Sequence, residues 1–390
     1  MAKLIEITGK ALSGEWGSED ENGIGIPILR TTNFTNEGVI NYNNVVTRII
    51  TKKYISEKYL RKGDIIIEKS GGSDKQPVGR VVYYDGLDNT YLFNNFTALL
   101  RVKNQKIWVP RYVFYALLKN YRQGGTIPFE NKTTGLHNLK IDAYINNFKI
   151  NEIPINIQQK ICVILDKIQG IIRVRKQQLI DFDTLTKARF MEMFGDPVSN
   201  SKGWEIVPLG KRCEIVTGNT PSRAESENYG EYIEWIKSDN INTPFTFITK
   251  AQEYLSETGF KKCRFVEAGS LLMTCIAGSI NCIGNVAVTD RRVAFNQQIN
   301  AIVPEQDEVL YLYWLMLLSK PAIHSTINMA LKGILSKGKL SELTFPFPPI
   351  ELQRDFVAFV EQTDKSKSVI QKSLKETQLL FDSLMQEYFG

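Results

Sequence analysis

The chain contains the stretch Pro154-Ile155-Asn156-Ile157-Gln158, and it returns later as Pro349-Ile350-Glu351-Leu352-Gln353. The second copy lies 195 residues after the first, and the same offset relates Leu179 to Leu374 and Phe194-Gly195 to Phe389-Gly390 without a gap. A repeat at a fixed period indicates the architecture of the whole chain more directly than any local motif does. The sequence therefore predicts one structural unit that occurs twice.

The parts before these motifs are similar more loosely, and they need small gaps to align. The stretch Ile26–Phe34 corresponds to Ile233–Ile241, and Lys62–Ile67 corresponds to Ala268–Met273. Further on, Phe93-Asn94-Asn95 matches Phe295-Asn296-Gln297. Each unit thus consists of a variable globular part followed by a constant segment.

The constant segments have the apolar spacing of long amphipathic helices. Each starts just after a proline, Pro154 or Pro349, where this residue is tolerated. Roughly 38 residues would give a rod of about 57 Å. The residues predicted to form the apolar stripes are Ile161, Leu165, Ile168, Ile172, Leu179, Phe182 and Leu185, and then Phe356, Val360, Ile370, Leu374, Phe381, Leu384 and Tyr388.

These two stripes would be exposed to water unless they cover each other, so we expect an antiparallel coiled coil. That packing would place the globular parts at opposite ends, related by a pseudo-two-fold axis like that of duplex DNA. The stripe is interrupted by Arg175 in one helix and by Thr363, Lys367 and Thr377 in the other. A dimerisation helix or core filler in another kind of protein is the alternative interpretation.

The globular parts combine short strands with one buried helix each. Runs such as Ile65-Ile66-Ile67, Gly79–Tyr84 and Asn285–Val288 indicate strands, whereas Val113–Leu118 and Val309–Leu315 indicate helices. The predicted fold class is α+β: two similar mixed α/β domains separated by two long helices. The expected boundaries are 1–153 and 196–348 for the domains, and 154–195 and 349–390 for the helices.

Composition places the chain among ordinary globular proteins. It has 390 residues, 43% of them hydrophobic and 23% charged, which suggests two or three domains. The five cysteines form no C-x-x-C pair, so we expect reduced, buried thiols and no zinc site. The chain starts without a signal-peptide pattern and has no run long enough to span a bilayer, so a cytoplasmic location is expected.

The net charge of +6 is unevenly distributed. Residues 1–150 contain 21 Lys and Arg against 14 Asp and Glu, whereas residues 196–345 contain 15 against 16. A basic surplus favours a phosphate-rich partner, although it is weak support by itself. The first unit is expected to contribute more of any salt-dependent phosphate binding.

The sequence resembles the DNA specificity subunits of type I restriction-modification systems. The resemblance depends on Gly203–Gly210 at the start of the second unit, on Phe345–Gln353 before its helix, and on the alternation of variable and constant parts. It implies two target recognition domains, each reading one half of a split double-stranded DNA site, with the helices as a spacer.

The same resemblance implies partners. Each half with its helix would dock one methyltransferase subunit, two in all, and restriction subunits could join the complex. S-adenosylmethionine would bind in the methyltransferase, which modifies adenine at N6, and this chain itself would hold no cofactor and catalyse no reaction.

Catalytic alternatives lack their motifs. The only Pro-Pro lies in Phe347-Pro348-Pro349-Ile350, which is not the Asn/Asp-Pro-Pro-aromatic loop of an amino-methyltransferase, and a phosphate-binding P-loop is absent. The best nuclease candidate is Asp64–Lys69, but its Glu68 and Lys69 are adjacent and would point to opposite faces of a strand. His137 and His324 have no metal-ligand spacing, so we expect packing or surface roles. A self-contained restriction or methylation protein and a protein-binding structural adaptor remain the alternative functions.

If the function is DNA reading, polar side chains must reach base edges while cations hold phosphates. Two polar clusters each follow a short apolar strand. Glycine-containing loops and lysines add possible phosphate contacts. Ordinary turns, which favour similar residues, are the alternative interpretation. The DNA-binding candidates in the first unit are Arg30, Thr31, Thr32, Asn33, Lys69, Ser70, Asn94 and Lys132. Those in the second unit are Lys237, Ser238, Asp239, Asn240, Ser279, Gln297, Lys332 and Lys337.

Overall fold

The computed structural model describes residues 1–133, 136–327 and 333–390. The chain divides into two compact units, one formed by residues 1–175 and 373–390 and the other by residues 176–372. The boundary between the units falls within each of the two long helices. None of the helices in the described ranges is long and apolar enough to cross a membrane.

Unit 1 begins with the first globular part. Its strands are β1 (Ala2–Lys3), β2 (Leu12–Ser13), β3 (Ser18–Glu19), β4 (Ile26–Leu29), β5 (Val46–Ile49), β6 (Ile65–Glu68), β7 (Ser70–Gly72), β8 (Val81–Tyr83), β9 (Leu92–Phe93), β10 (Thr97–Leu100), β11 (Glu130–Thr133), β12 (Leu136–Leu139) and β13 (Lys149–Ile150). Its helices are α1 (Leu4–Thr8), α2 (Pro110–Arg122) and α3 (Ile141–Asn147), followed by the long α4 (Ile155–Phe194), which continues into unit 2.

The strands of unit 1 form small sheets around the buried helix α2. One sheet has the order β2-β10-β6-β8 and another the order β3-β5-β4-β9. The predicted strand at residues 65–67 is the fully buried centre of the first sheet, and the predicted helix at 113–118 is the buried part of α2. Smaller sheets pair β1 with β13 and join β11, β12 and β7.

Unit 2 has the corresponding elements. Its strands are β14 (Ile206–Pro208), β15 (Cys213–Thr217), β16 (Tyr229–Ile236), β17 (Tyr254–Leu255), β18 (Phe265–Val266), β19 (Leu271–Thr274), β20 (Val286–Val288), β21 (Val293–Phe295), β22 (Ile299–Pro304) and β23 (Thr344–Pro346). Its helices are α5 (Ser238–Ile241), α6 (Glu257–Lys261), α7 (Val309–Ser325) and α8 (Lys337–Glu342), followed by the long α9 (Ile350–Phe389).

The sheets of unit 2 repeat the pattern of unit 1. The order β15-β22-β19-β20 corresponds to β2-β10-β6-β8, and the sheet β17-β16-β21-β18 contains the parallel pair β16 and β21, as β4 and β9 are parallel in unit 1. Helix α7 is buried along most of its length, as predicted. The mixed α and β content expected from the sequence is confirmed in both units.

The two long helices pack on each other in both units. In unit 1, Ile161 and Leu165 of α4 share a core with Phe381 and Met385 of α9. In unit 2, Phe190 of α4 lies 5.4 Å, between ring centroids, from Phe356 of α9. In unit 1 the start of α4 therefore contacts the end of α9, and in unit 2 the end of α4 contacts the start of α9. The helices run antiparallel, as predicted.

The glutamine of each repeated motif fixes the start of its long helix. Gln158 is fully buried; its Oε1 accepts from the Val109 backbone N–H at 2.9 Å, and its Nε2 donates to the Ile107 and Ile153 carbonyls. Gln353 takes the same place in unit 2: its Oε1 accepts from the Glu308 N–H at 3.0 Å, and its Nε2 donates to the Pro348 carbonyl and to the Asp307 carboxylate. Each glutamine thus connects the long helix to the residues just before α2 or at the start of α7.

One position of the predicted stripe is wrong. Leu185 is 50% exposed, while Thr186 is buried at 3%. The positions of α4 that face the core here follow a three-four spacing through half-buried Leu179 and Phe182 to buried Thr186. The next core position after Phe182 therefore comes four residues later, not three. In α9, Thr363 is buried within the stripe, and the Lys367 ammonium lies 2.7 Å from the Asp183 carboxylate.

The five cysteines are all free thiols. Cys162, Cys213 and Cys275 are buried, as expected, and burial raises the pKa of each thiol to about 12. Cys263 and Cys282 are only partly buried, so the expectation of burial is wrong for these two. Both lie near turns of unit 2 and not at the centre of a sheet.

Candidate nucleic-acid interface

Three polar segments of unit 1 meet where strands end. Because β4 and β9 are parallel, with Leu29 opposite Phe93, the residues that follow them lie side by side. The Asn94 N–H donates to the Leu29 carbonyl at 2.9 Å. The N–H groups of Lys69 and Ser70, which follow β6, both donate to the Phe96 carbonyl. We call Arg30–Asn33, Lys69–Ser70 and Asn94–Phe96 the strand-end cluster of unit 1.

Unit 2 builds the same frame. Ile236 of β16 lies opposite Phe295 of the parallel strand β21, and the Asn296 N–H donates to the Ile236 carbonyl at 3.1 Å. The Cys275 and Ile276 N–H groups both donate to the Gln298 carbonyl, at 2.8 and 3.2 Å. The strand-end cluster of unit 2 is therefore Lys237–Asn240, Cys275–Ile276 and Asn296–Gln298. The backbone frame is repeated while the side chains differ.

Three of the predicted candidates are buried parts of this frame. Asn33 is 1% exposed; its Oδ1 accepts from the Arg30 N–H at 2.9 Å, and its Nδ2 donates to the Asn41 and Asn43 carbonyls. Asn240 caps the Lys237 N–H in the same way, at 3.0 Å. Asn94 is 3% exposed and its Oδ1 accepts from the Thr97 hydroxyl. This geometry gives all three amides a structural role and no free surface for a base.

Four other predicted residues, from the first segment of each cluster, face outward at least in part. Thr32 and Asp239 are exposed at matched positions, and Thr31 and Ser238 are half-buried beside them. The Ser238 hydroxyl donates to Gln298 Oε1 at 3.4 Å. These side chains remain the best placed to meet a ligand at the strand ends.

The cations of the clusters are held in place by neighbours. Arg30 Nη2 donates to the Asn44 carbonyl at 2.9 Å, while its buried Nε has no hydrogen-bond partner. Lys69 Nζ donates to Ser13 Oγ at 2.6 Å, and burial lowers the pKa of Lys69. Lys237 pairs with Glu253, and its Nζ lies 5.2 Å from the centroid of the Trp235 ring. Contacts with these neighbours thus fix the position of each cation in its cluster.

The remaining predicted candidates lie in loops and short elements. Half-buried Ser70 starts β7, and exposed Lys132 pairs with Asp74 at 2.7 Å. Exposed Ser279 accepts from the Asn281 N–H, and exposed Gln297 accepts from the Thr220 hydroxyl. Exposed Lys337 begins α8, whereas Lys332 lies outside the described residues.

Two glycines that the sequence interpretation missed are part of both clusters. A Cβ on Gly14 would lie 2.1 Å from the Asn94 carbonyl oxygen, and one on Gly218 would lie 2.2 Å from that of Asn296. Only glycine therefore allows this close approach. The residues that follow, Glu15 and Asn219, donate their N–H groups to the Phe93 and Phe295 carbonyls. The signal was a Ser/Thr-Gly pair at the same place in each repeat.

Aromatic and cationic side chains next to these glycines were also missed. The Arg48 guanidinium lies 4.1 Å from the centroid of the Trp16 ring in unit 1. In unit 2 the Arg223 guanidinium lies 5.6 Å from the Trp235 ring and pairs with Glu253 at 2.8 Å. An arginine held over an aromatic ring keeps its charge and a defined orientation, which suits it to contact an anionic group.

The carboxylates of the nuclease candidate are neutralised by arginine. Glu68 receives two hydrogen bonds from Arg80, at 3.0 and 3.1 Å, and Asp64 receives two from Arg101, both at 2.7 Å. His137 is buried beside Glu130, with 3.0 Å between Nδ1 and Oε2. In the ranges that the structure describes, no group of three or more possible metal ligands is found.

Comparison with known proteins identifies the two repeats. The family model for the type I restriction modification DNA specificity domain matches residues 2–181 and again residues 201–378. The HindI specificity subunit of a type I restriction enzyme from Haemophilus influenzae is 27% identical over 178 residues, which are 45% of this chain and 37% of that protein. The chain thus matches well under half of that relative's length.

Another relative is similar along nearly its whole length. A Methanocaldococcus jannaschii protein with the provisional name of type I restriction enzyme MjaX specificity subunit is 21% identical over 401 residues, covering 96% of this chain and 90% of that protein.

Solved structures share the fold. A crystal structure of the type I restriction-modification S subunit from M. genitalium matches with a TM-score of 0.60 at 15% identity, covering 100% of this chain and 95% of that one. A structure described as the basis of complex assembly and conformational transition of the type I R-M system matches with a TM-score of 0.53 at 16% identity, covering 100% and 96%. The chain belongs to the family of type I restriction-modification DNA specificity domains and contains two copies of that domain.

Proposed function

We propose that this chain is the DNA-recognition subunit of a type I restriction-modification complex, and that each unit reads one half of a bipartite duplex site. The observation that supports this most strongly is the strand-end cluster, which occurs twice with one backbone frame and different side chains. A constant frame with variable polar residues is what two readers of different half-sites require, because base edges are discriminated by donor and acceptor pattern.

The matched side chains suggest different preferences for the two units. Exposed Asn95 of unit 1 corresponds to exposed Gln297 of unit 2, and Thr32 corresponds to Asp239. Asn and Gln amides can pair with adenine through two hydrogen bonds, whereas a carboxylate accepts from cytosine N4. Arg30 and Lys69 in unit 1, and Lys237 in unit 2, would then fix the phosphate backbone.

We extend the proposal to the partners. Each unit has exposed apolar residues on its long helices: Val163, Val174 and Leu379 in unit 1, and Ile180, Leu185 and Val369 in unit 2. We propose that these side chains contact a protein partner. One methyltransferase subunit would dock on each unit, two per chain, and S-adenosylmethionine would bind in those subunits. We place this complex, with any restriction subunits, in the cytoplasm.

The test maps methylated adenines in cells that contain the partner methyltransferase with and without this chain. A bipartite methylated motif should appear only when the chain is present. Asn95→Ala and Gln297→Ala should each relax one half of the motif, while Asn151→Ala, an exposed residue outside both clusters, should change neither half. Methyl transfer by the purified chain alone, or a motif independent of the chain, would contradict the proposal.

A further inference from the structure

A basic pocket of about 470 Å³ lies in unit 1, away from the strand-end cluster. It is formed where β6 begins and β10 ends, and the strand-end cluster lies at the other ends of the same strands. Four residues of extended strand separate the two places by about 13 Å. The charged residues of its lining are Lys10, Arg61, Lys62, Asp64, Arg101 and Lys103.

The buried Asp64–Arg101 pair is the scaffold of this pocket. Arg101 donates to both Asp64 oxygens at 2.7 Å and to the Glu57 and Tyr59 carbonyls, so its guanidinium is largely occupied. Asp64 Oδ2 also accepts from the Arg61 N–H at 2.7 Å, which fixes the turn that presents Arg61 and Lys62. The single carboxylate that lines the pocket is therefore already neutralised.

The other cations are exposed and available. Among the described residues, the side chains of Lys10, Arg61, Lys62 and Lys103 form no ion pair. The Asp88 carboxylate, which is not part of the lining, accepts from the Lys62 backbone N–H at 2.7 Å. Lys103 lies across Gly9, where a Cβ would come within 2.4 Å of its Cε. Four unpaired positive charges around one pocket attract a multiply charged anion.

Three of the four matched positions in unit 2 have the opposite charge. Lys10 lies two residues before Leu12, which pairs with Leu99; Glu214 lies two residues before Val216, which pairs with Ala301. Gly63 precedes β6 and Gly269 precedes β19, and the residues before these glycines are Lys62 and Ala268, so Arg61 corresponds to Glu267. Leu99 of β10 pairs with β6 as Ala301 of β22 pairs with β19, and four residues further on Lys103 therefore corresponds to Glu305.

Three reversals at one place in a repeated fold are unlike the scattered charges of a solvated surface. The fold itself does not need cations there, because unit 2 builds the same strands with glutamates. From this contrast we infer that the basic pocket of unit 1 is a binding site for phosphate groups, separate from base reading. The ligand is a polyphosphate, either a stretch of DNA backbone or a free nucleotide-type molecule.

The test uses the full chain with Lys10→Glu, Arg61→Glu and Lys103→Glu, which introduces the residues that unit 2 has at these positions. The control, Lys3→Glu, Lys140→Glu and Lys149→Glu, makes the same change in net charge at exposed sites outside the pocket. Calorimetry measures binding of inorganic tripolyphosphate, and a salt titration measures binding of a duplex of arbitrary sequence.

Wild type and control should bind tripolyphosphate saturably, and the pocket variant should not. If the natural ligand is DNA backbone, the dependence of log K on log salt should also become shallower by about 2.7 for three lost phosphate contacts. An unchanged slope with lost tripolyphosphate binding would identify a free ligand.

Equal behaviour of the pocket variant and the control in both assays would overturn the inference. The methylated motif, read in the same variant, should remain that of the wild type, so failure of the base-reading proposal would be seen separately. A changed motif with normal tripolyphosphate binding would count against the separation of this pocket from base reading.

Discussion

Asn33 and Asn240 occupy matched turns at the strand ends, and their amides are used by the protein itself. The sequence could predict a polar cluster after an apolar strand, because the change from apolar to polar residues is visible. It could not predict which side chain turns inward, since the partners of Asn33, the Asn41 and Asn43 carbonyls, come from the chain further on. Under the proposed function, the side chains that read bases must therefore be sought among the exposed neighbours.

This distinction gives a prediction for two adjacent residues. Asn33→Ala removes three buried hydrogen bonds and should lower the free energy of unfolding by about 1–3 kcal/mol. Thr32→Ala, at the exposed neighbouring position, should change it by less than about 0.5 kcal/mol. Chemical denaturation of both variants measures this difference. Equal stability of the two would show that the Asn33 amide is not a structural group.

The repeated glutamines make a second prediction at this scale. Gln158→Ala leaves the Val109 N–H and two carbonyls without their partner in a buried place, which should cost about 1–3 kcal/mol of unfolding free energy. Gln353→Ala should do the same in unit 2. The control is Gln159→Ala, an exposed position next to Gln158. If all three variants unfold at the same denaturant concentration, the motif does not fix the helix start.

The ion pair between Glu234 of β16 and Arg291 should make unit 2 sensitive to acid. Hydrogen bonds from Arg291 lower the pKa of Glu234, so the folded state has the lower pKa. The stabilisation is present above the ordinary glutamate pKa and is lost as pH falls through the lowered one. The stability difference between wild type and Glu234→Gln should thus shrink toward acid pH. Exposed Glu231→Gln serves as control, and a pH-independent difference would contradict this prediction.

At the scale of elements, the long helices were the easiest to predict. Their apolar spacing is local, so both starts, next to Pro154 and Pro349, and the antiparallel packing were found from sequence. The error at Leu185 arose because the stripe continues its alternation of three-residue and four-residue steps, which leads from Leu179 to Phe182 and then to Thr186. Leu185 is the more apolar residue of the pair Leu185-Thr186, so apolar character alone points to the wrong position.

The helix packing gives a further prediction. Phe190 is fully buried and lies within 6 Å of Phe194, Tyr311 and Phe356, measured between ring centroids. Phe190→Ala should lower the free energy of unfolding by about 3–5 kcal/mol. Leu185→Lys, at a half-exposed position, should leave the thermal midpoint nearly unchanged. A large loss of stability in Leu185→Lys would place this residue in the helix contact after all.

At the scale of the whole molecule, the duplication could be predicted because matching residues of the two long helices recur at a constant distance along the sequence. The parallel pairing of β4 with β9 and of β16 with β21 could not, because each pair joins residues about 60 positions apart and no local pattern marks the partner. That pairing is what creates the strand-end clusters. The need for glycine at positions 14 and 218 also depends on this pairing, because it brings the Asn94 and Asn296 carbonyls close to them.

The most direct measurement of the central claim replaces residues 1–153 with the first domain of another family member and maps methylated adenines in cells that contain the partner methyltransferase. Because each unit has its own strand-end cluster, only one half of the bipartite motif should change, and the half read by the second unit should stay the same. A change in both halves, or in neither, would contradict independent reading by the two units.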